Sequence, residues 1–297
     1  MSPAEPNWDL YRTFLAVMEE GSLSAAARAL GLAQPTVGRH VEALEQALGF
    51  ALFTRSQHGL APTEGALNLK PYAEALASTA AALLRVASSQ GAGARGAVRV
   101  TASEVIGAEV LPAILGPLRE AHPELAIELV LSNRIENLLT READIAVRMV
   151  RPDQDALVAR HIGAIPLGLF ARSDYVQRHG APQSLADLAE HVVIGFDRDA
   201  SSVRAFEAQF GKIDRNLFAL RTDNQLAHLA AIRAGFGVGV CQVGLAKRDP
   251  DLIRLLSDQF EVALDTWLAM HEDLKETPRC RVVFDALADG LTEYVKR

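Results

Sequence analysis

Side chains able to bind nucleic acid lie close together near the amino terminus. Gln34, Arg39 and His40 fall in one short stretch, and Arg55 and His58 follow in the next. An arginine can bind the O6 and N7 atoms of guanine through two hydrogen bonds, and a glutamine can bind adenine in the same way. Cationic side chains also bind phosphate oxygens. Such contacts require a rigid element that presents these side chains to a duplex.

The stretch SLSAAARALGLAQPTVGRHVEALE, residues 22–45, predicts that element. Ser24 is a suitable N-cap for a short helix ending at Leu30, and Gly31 suits a left-handed turn. Pro35 fits the first turn of a further helix that begins near Gln34, where a missing N–H costs little. We therefore predict a helix-turn-helix whose second helix enters a major groove with its first turn.

Apolar spacing on both sides of the turn predicts how these helices pack. A preceding helix is predicted over residues 9–20, and its apolar face contains Leu10, Phe14, Val17 and Met18. The side chains expected to pack within the helix-turn-helix are Ala26, Leu30, Leu32, Val37 and Val41. This packing would leave Thr36, Arg39 and His40 pointing outward. The following stretch FALFTRSQHGLAPTEG, residues 50–65, predicts a wing, a small hairpin that carries Arg55 and His58 towards the DNA backbone.

The overall charge gives weaker support for DNA binding. The chain has a net charge of −7, and residues 1–63 carry four arginines against six acidic residues. Charge alone favours the interpretation of Arg28 and Arg39 as solvated helix charges. The acidic residues lie on the preceding helix and towards the end of the second helix of the motif, so the docking face can still be locally positive.

The pattern SLSAAARALGLAQPTVGRHVEALEQALGFALFTR resembles the winged helix-turn-helix of LysR-type transcriptional regulators. The resemblance implies that Gln34, Pro35, Gly38 and Arg39 contact bases and phosphates, with Arg55 and His58 in the wing. Two positions depart from the family pattern: Ala33 stands where a serine N-cap is common, and Gly38 where serine or threonine is common. The full set of candidate DNA-binding residues is Arg28, Gln34, Pro35, Thr36, Gly38, Arg39, His40, Arg55 and His58.

Three further segments follow the winged domain of residues 1–63. Residues 64–90 predict a long linker helix with an apolar stripe, which the family resemblance favours as a dimerisation helix over a helix packed on its own chain. Residues 91–96, GAGARG, predict a hinge. Gly91, Gly93 and Gly96 match the GxGxxG spacing of dinucleotide-binding loops, but a helix precedes them and a strand follows, which is the wrong order for that site.

Residues 97–297 alternate between strand and helix patterns, which predicts an α/β domain with a predominantly parallel sheet. We expect two Rossmann-like lobes resembling periplasmic binding proteins, with an effector bound at strand ends and helix amino ends between them. The candidate effector-binding residues at such positions are Ser103, Glu104, Ser132, Asn133, Arg148, Phe196, Asp197, Thr222 and Asn224. For Ser103, Thr222 and Asn224, simple helix capping without a ligand is the alternative. Backbone N–H groups favour a carboxylate effector, and Glu104 would oppose one unless it points away.

Other classes of protein find little support in the sequence. There is no GxSxG, HExxH or Walker A sequence, and no histidine spacing typical of a metal site, so we expect no enzyme, cofactor or metal. Cys241 lies in an apolar run and is expected to be a buried hydrophobe, and Cys280 is distant, which fits a reducing cytoplasm. No secretory signal or membrane span is apparent, which disfavours a solute-binding protein. The expected partners are operator DNA, a small effector and other copies of this chain as a homodimer or homotetramer.

Overall fold

The computed structural model describes residues 6–56, 59–88, 93–133, 143–152, 157–197 and 214–296. Its contacts divide the chain into two compact units, residues 1–87 with 136–142 and residues 88–135 with 143–297. The amino-terminal unit contains α1 (Trp8–Glu20), α2 (Leu23–Leu30), α3 (Gln34–Leu48), β1 (Phe53–Ser56), β2 (Gly59–Pro62) and α4 (Glu64–Ser88).

The helix ends of the first unit follow from their capping residues. Gly21, Gly31 and Gly49 adopt the left-handed conformation at the ends of α1, α2 and α3. The N-cap of α2 is Ser22, whose Oγ accepts a hydrogen bond from the N–H of Ala25 at 3.2 Å, so the expected start at Ser24 was wrong. Because a serine just before the first helical residue can accept this bond, the helix begins earlier than its apolar pattern suggested.

Three helices enclose the core of the first unit. Phe14 and Val17 of α1 are buried, as are Ala26, Val37 and Val41, which confirms most of the predicted packing. Leu32 is 41% exposed, so its expected place in the core was wrong. Its N–H instead closes the end of α2 by donating to the carbonyl of Ala27 at 2.9 Å, which leaves its side chain on the surface of the turn.

The predicted wing is present as an antiparallel hairpin of β1 and β2, in which Arg55 pairs with Leu60. The hairpin is fixed at two points. Leu60 donates a backbone hydrogen bond to the carbonyl of Gly21 at 2.9 Å, and Oε1 of Glu45 accepts one from the N–H of Leu52 at 2.7 Å. His58, expected at the tip of the wing, lies outside the described residues.

The second unit contains nine strands and five α-helices within its described residues. The strands are β3 (Gly96–Ala102), β4 (Leu125–Leu131), β5 (Ile145–Arg148), β6 (Leu157–Arg172), β7 (Val193–Gly195), β8 (Phe218–Arg221), β9 (Gly239–Gln242), β10 (Leu252–Leu255) and β11 (Val262–His271). The helices are α5 (Leu111–Ala121), α6 (Ser173–His179), α7 (Gln225–Arg233), α8 (Val243–Ala246) and α9 (Pro278–Val295). A turn of π-helix, Ile106–Val110, leads into α5.

The expectation of a predominantly parallel sheet was wrong. β3 pairs in parallel with β4 and β5, and β7 with β8, but β6 pairs antiparallel with β9, β10 and β11, and β11 also with β5. The antiparallel part arises because β6 and β11 are long strands that cross between two lobes in opposite directions.

Each lobe of the second unit has its own core. The first lobe packs β3, β5, α5 and α9 around residues such as Val100, Ile145 and Leu287. In the second lobe, Leu169 and Phe170 of β6 point to opposite faces and belong to separate apolar clusters. No helix in the described ranges is long and apolar enough to cross a membrane.

Candidate DNA-binding surface and effector cleft

The first two turns of α3 carry the predicted base-reading side chains on an exposed surface. Gln34, Pro35 and Arg39 are exposed, and Thr36 is partly exposed. The guanidinium of Arg39 lies back along the helix, where Nε donates to the carbonyl of Pro35 at 3.4 Å and Nη2 approaches Oγ1 of Thr36 at 3.5 Å. These long, exposed bonds are weak, so the guanidinium can leave them for a stronger acceptor.

The two departures from the family pattern have distinct structural consequences. Ala33 is the N-cap of α3, and no side chain caps that end of the helix. A Cβ atom added to Gly38 would meet only Cδ1 of Leu23, at 3.8 Å, which is ordinary van der Waals contact. Neither packing nor backbone conformation therefore requires glycine at position 38.

His40 differs from its predicted outward position. Its Nδ1 atom lies 2.9 Å from Oγ1 of Thr13 on α1, and the side chain is partly buried. Arg28, in the last turn of α2, and Arg55, on β1, are both exposed. The structure thus places an exposed arginine on α2, on α3 and on the wing, whereas His40 packs between two helices.

In the first lobe, four predicted effector residues lie together beyond the ends of β3 and β4. Ser103 and Glu104 follow β3, and Ser132 and Asn133 follow β4. Oδ1 of Asn133 accepts a hydrogen bond from the N–H of Glu104 at 3.1 Å, and the N–H of Ser132 donates to the carbonyl of Ala102 at 2.9 Å. The two strand ends are therefore joined directly.

Arg148 ends β5 beside them and is buried, with only 4% of its surface exposed. Its Nη2 donates to Oγ1 of Thr101 at 2.9 Å and its Nη1 to the carbonyl of Val147 at 3.1 Å. Among the described residues, Nε has no hydrogen-bond partner. Burial lowers the pKa of Arg148 to about 10. A buried guanidinium held by neutral oxygens is suited to binding an anion.

In the second lobe, the other predicted residues surround the amino end of α7. Asn224 is the N-cap, and its Oδ1 accepts from the N–H of Ala227 at 2.7 Å. Oγ1 of Thr222 accepts from the N–H of Asn224 at 3.1 Å. Asn224 therefore caps α7, as the alternative to ligand binding expected, whereas Thr222 bonds the N–H of the capping residue.

Phe196 and Asp197, which follow β7, also make contacts in the second lobe. The ring of Phe196 stacks on His228, with centroids 6.1 Å apart, and Asp197 accepts a hydrogen bond from Arg215 at 3.0 Å. The second group of predicted residues is thus engaged with neighbouring side chains.

Glu104 connects the two groups. Its Oε2 atom accepts a hydrogen bond from the N–H of Gln225, the first residue of α7, at 2.8 Å. Glu104 therefore points towards the helix end. In this orientation its carboxylate was expected to oppose the binding of an anion. At the other end of α7, Arg233 forms a two-point ion pair with Glu109, at 2.7 and 3.0 Å. No sequence pattern pointed to Glu109, Gln225 or Arg233 as site residues, since no pattern links residues this far apart in the chain.

Two further expectations concern reactive groups. Cys241 and Cys280 are both buried free thiols, and burial raises the pKa of Cys241 to about 12, so this thiol is a poor nucleophile. Within the described residues, no group of three or more His, Cys, Asp or Glu side chains is arranged to hold a metal ion.

Comparison with known families agrees with this architecture. Residues 8–67 match a family model described as a bacterial regulatory helix-turn-helix protein of the lysR family, and residues 91–292 match the LysR substrate binding domain. An amino-terminal helix-turn-helix followed by a substrate-binding domain defines a class of bacterial regulators, not of enzymes. The chain belongs to the LysR family of transcriptional regulators.

Individual relatives show the same class. CrgA of Neisseria meningitidis serogroup C (strain 8013) is 33% identical over 189 residues, which cover 63% of this chain and 63% of CrgA. An HTH-type transcriptional regulator of Xanthomonas campestris pv. campestris (strain 8004) is 31% identical over 178 residues, covering 60% of this chain and 52% of that protein. The chain thus matches less than two thirds of the length of these curated relatives.

Solved structures match a larger share of the chain than these relatives do. A structure of CrgA from Neisseria meningitidis matches with a TM-score of 0.60 and 27% identity, over 96% of this chain and 99% of that chain. Full-length CbnR, in complex with its target DNA, matches with a TM-score of 0.66 and 20% identity, over 98% of this chain and 100% of that chain. At this identity the likeness to CbnR concerns the fold alone.

Proposed function

We propose that the protein is a cytoplasmic, sequence-specific DNA-binding regulator of transcription that responds to a small effector bound between the two lobes of its second unit. The observation that carries the proposal is the exposed start of α3, where Gln34 and Arg39, on its first two turns, can reach base edges in a major groove. Arg28, Arg55 and His58 would bind the backbone or minor groove. Gly38 supports this assignment, because bare backbone allows close approach and the fold does not require it.

Each of the predicted segments is assigned its own role. Residues 1–63 bind DNA, residues 64–90 link and dimerise, residues 91–96 form a hinge, and residues 97–297 bind the effector. The exposed apolar residues of α4 support dimerisation, since Tyr72 is 76%, Leu83 63% and Leu67 54% exposed in the single chain. A homodimer, or a dimer of dimers, would double the few cationic contacts that each chain offers to DNA.

The proposed effector is a small carboxylate, and Arg148 is its anchor. This assignment is supported by the burial of a guanidinium that no carboxylate of the described residues neutralises. The effector would bind two arrangements of the homo-oligomer with different affinities. Its binding would therefore shift the population between them and alter transcription from the promoter.

The DNA-binding assignment is tested by selection of bound duplexes from a random-sequence library with the purified full-length protein. The expected outcome is one enriched motif with two related half-sites. Enrichment of no motif, with equal retention of all duplexes, would contradict sequence-specific binding.

A further inference from the structure

The amino end of α7 already has a carboxylate bound to it. The first turn of a helix has N–H groups without partners in the helix, and its dipole favours negative charge there. Of these groups, the N–H of Gln225 donates to Oε2 of Glu104 at 2.8 Å, and the N–H of Ala227 donates to Asn224 at 2.7 Å. Glu104 thus occupies the place that a bound anion takes at such a helix end.

The segment that carries Glu104 is fixed on both sides. The N–H of Glu104 is held by Oδ1 of Asn133 at 3.1 Å. A few residues later, Glu109 forms its ion pair with Arg233 at the opposite end of α7. Because both ends of α7 are bound to one short segment of the first lobe, the Glu104 carboxylate is held at the helix end and does not depend on its own side chain alone.

A second positive group in the same region has no such partner among the described residues. Arg148 is buried, its hydrogen bonds within the described part of the chain go to neutral oxygens, and its Nη2 lies 2.9 Å from Oγ1 of Thr101. Thr101 precedes Ser103 and Glu104 on the same strand end. The cleft therefore contains one positive site that the protein fills itself and one that it leaves for another molecule.

We propose that Glu104 determines the specificity of the effector cleft, because its carboxylate fills the amino end of α7 and excludes anions from it, leaving Arg148 to bind the anionic group of an effector. This inference rests on the proposed assignment of the cleft as the effector site. The effector is therefore expected to place a negative group at Arg148 and a neutral or cationic group beside Glu104. Removing the carboxylate should create a second anion site at Gln225.

The test uses acetate as a probe for that site. Full-length, deuterated protein is labelled with ¹⁵N-glutamine, and the Gln225 amide resonance is assigned by its absence in Gln225→Asn. In Glu104→Ala, sodium acetate is expected to shift this resonance saturably, whereas sodium chloride at equal ionic strength does not. In the wild-type protein the resonance is expected to stay in place. Glu104→Ser, which removes the carboxylate and shortens the side chain, serves as the variant if Glu104→Ala does not fold.

Controls separate the helix end from other effects. Glu120→Ala removes an exposed carboxylate from α5 and should behave as the wild type. The double variant with Glu104→Ala and Arg148→Gln should still show the acetate shift of the Gln225 resonance. Loss of this shift would place the anion at Arg148 and contradict the proposal. An equal shift in the wild type, or no shift in the variant, would also overturn it. None of these outcomes depends on DNA or on the natural effector, so failure here is distinct from failure of the proposed function.

Discussion

His40 donates a hydrogen bond from Nδ1 to Oγ1 of Thr13, at 2.9 Å, and so joins α3 to α1. The direction follows from Thr13, whose single hydroxyl proton is donated to the carbonyl of Asp9 at 2.7 Å. Nδ1 of His40 must therefore carry a proton, which leaves Nε2 as the acceptor in the neutral ring. His40 therefore links α3 to α1 as well as being a candidate for contact with DNA.

Thr13→Val tests this bond, since it keeps the shape of a fully buried side chain and removes the acceptor. The unsatisfied N–H of His40 is expected to cost about 1–3 kcal/mol. Amide hydrogen exchange in α1 and α3 should quicken accordingly. Thr54→Val, at an exposed position on β1, is the matched control. Equal protection in the Thr13 variant and the wild type would show that the bond does not hold the helices.

Ala33→Ser is expected to stabilise the DNA-binding unit. The end of α3 lacks a side-chain cap, although Ala33 already has the extended backbone that capping residues adopt. A serine hydroxyl there should contribute roughly 0.5–2 kcal/mol, measured as slower hydrogen exchange in the first turns of α3. Ser22→Ala, which removes the existing cap of α2, should change α2 in the opposite direction. A loss of protection in Ala33→Ser would contradict the assigned helix start.

Glu109→Gln is expected to loosen α7 from the first lobe. Its hydrogen bonds with Arg233 hold the pKa of Glu109 below its usual value. The pair therefore contributes stability above the unfolded pKa of about 4.5, and this contribution is lost as the pH falls through the lower folded value. Because the pair is partly exposed, we expect about 1 kcal/mol or less, measured by hydrogen exchange of α7 at neutral pH. Unchanged exchange of α7 would show that the pair does not connect the lobes.

In His228→Leu, the free energy of unfolding is expected to fall less steeply as the pH is lowered. Burial lowers the pKa of His228 to about 4. The unfolded state, with a histidine pKa near 6.5, takes up a proton first, so stability is full above about 6.5 and falls as the pH drops towards 4. The contribution is on the order of 3 kcal/mol, measured by urea unfolding across that range. His122→Gln, at a partly exposed histidine, is the control. An equal slope on the acid side in His228→Leu and the wild type would contradict this account.

The amino-terminal unit could be predicted from the sequence because its signals are local. Caps, glycine turns and helical spacing determine α1 to α3, and the errors at Ser24 and Leu32 concern single turns. The second unit depends on contacts between distant residues. Neither the antiparallel return of β11 nor the bond between Glu104 and Gln225 leaves a pattern in the sequence, because each joins segments about a hundred residues apart or more.

For the effector cleft, the rule that ligands bind at strand ends and helix amino ends selected residues that lie beyond β3 and β4 and around the amino end of α7, but it did not give their hydrogen-bond partners. Asn224 caps α7, and Thr222 accepts a hydrogen bond from the N–H of Asn224. Arg148 differs from them, because its burial without a carboxylate partner in the described ranges appears only once β3 and β5 are paired.

The central claim is that Arg39 reads a base from the exposed start of α3, and fluorescence anisotropy on a selected duplex tests it most directly. Arg39→Ala should lose about 1–3 kcal/mol of binding free energy and the preference at one base position. Arg12→Ala, at an exposed arginine on α1, should bind as the wild type does, with the same salt dependence. An Arg39→Ala variant that keeps both wild-type affinity and wild-type base preference would contradict the account.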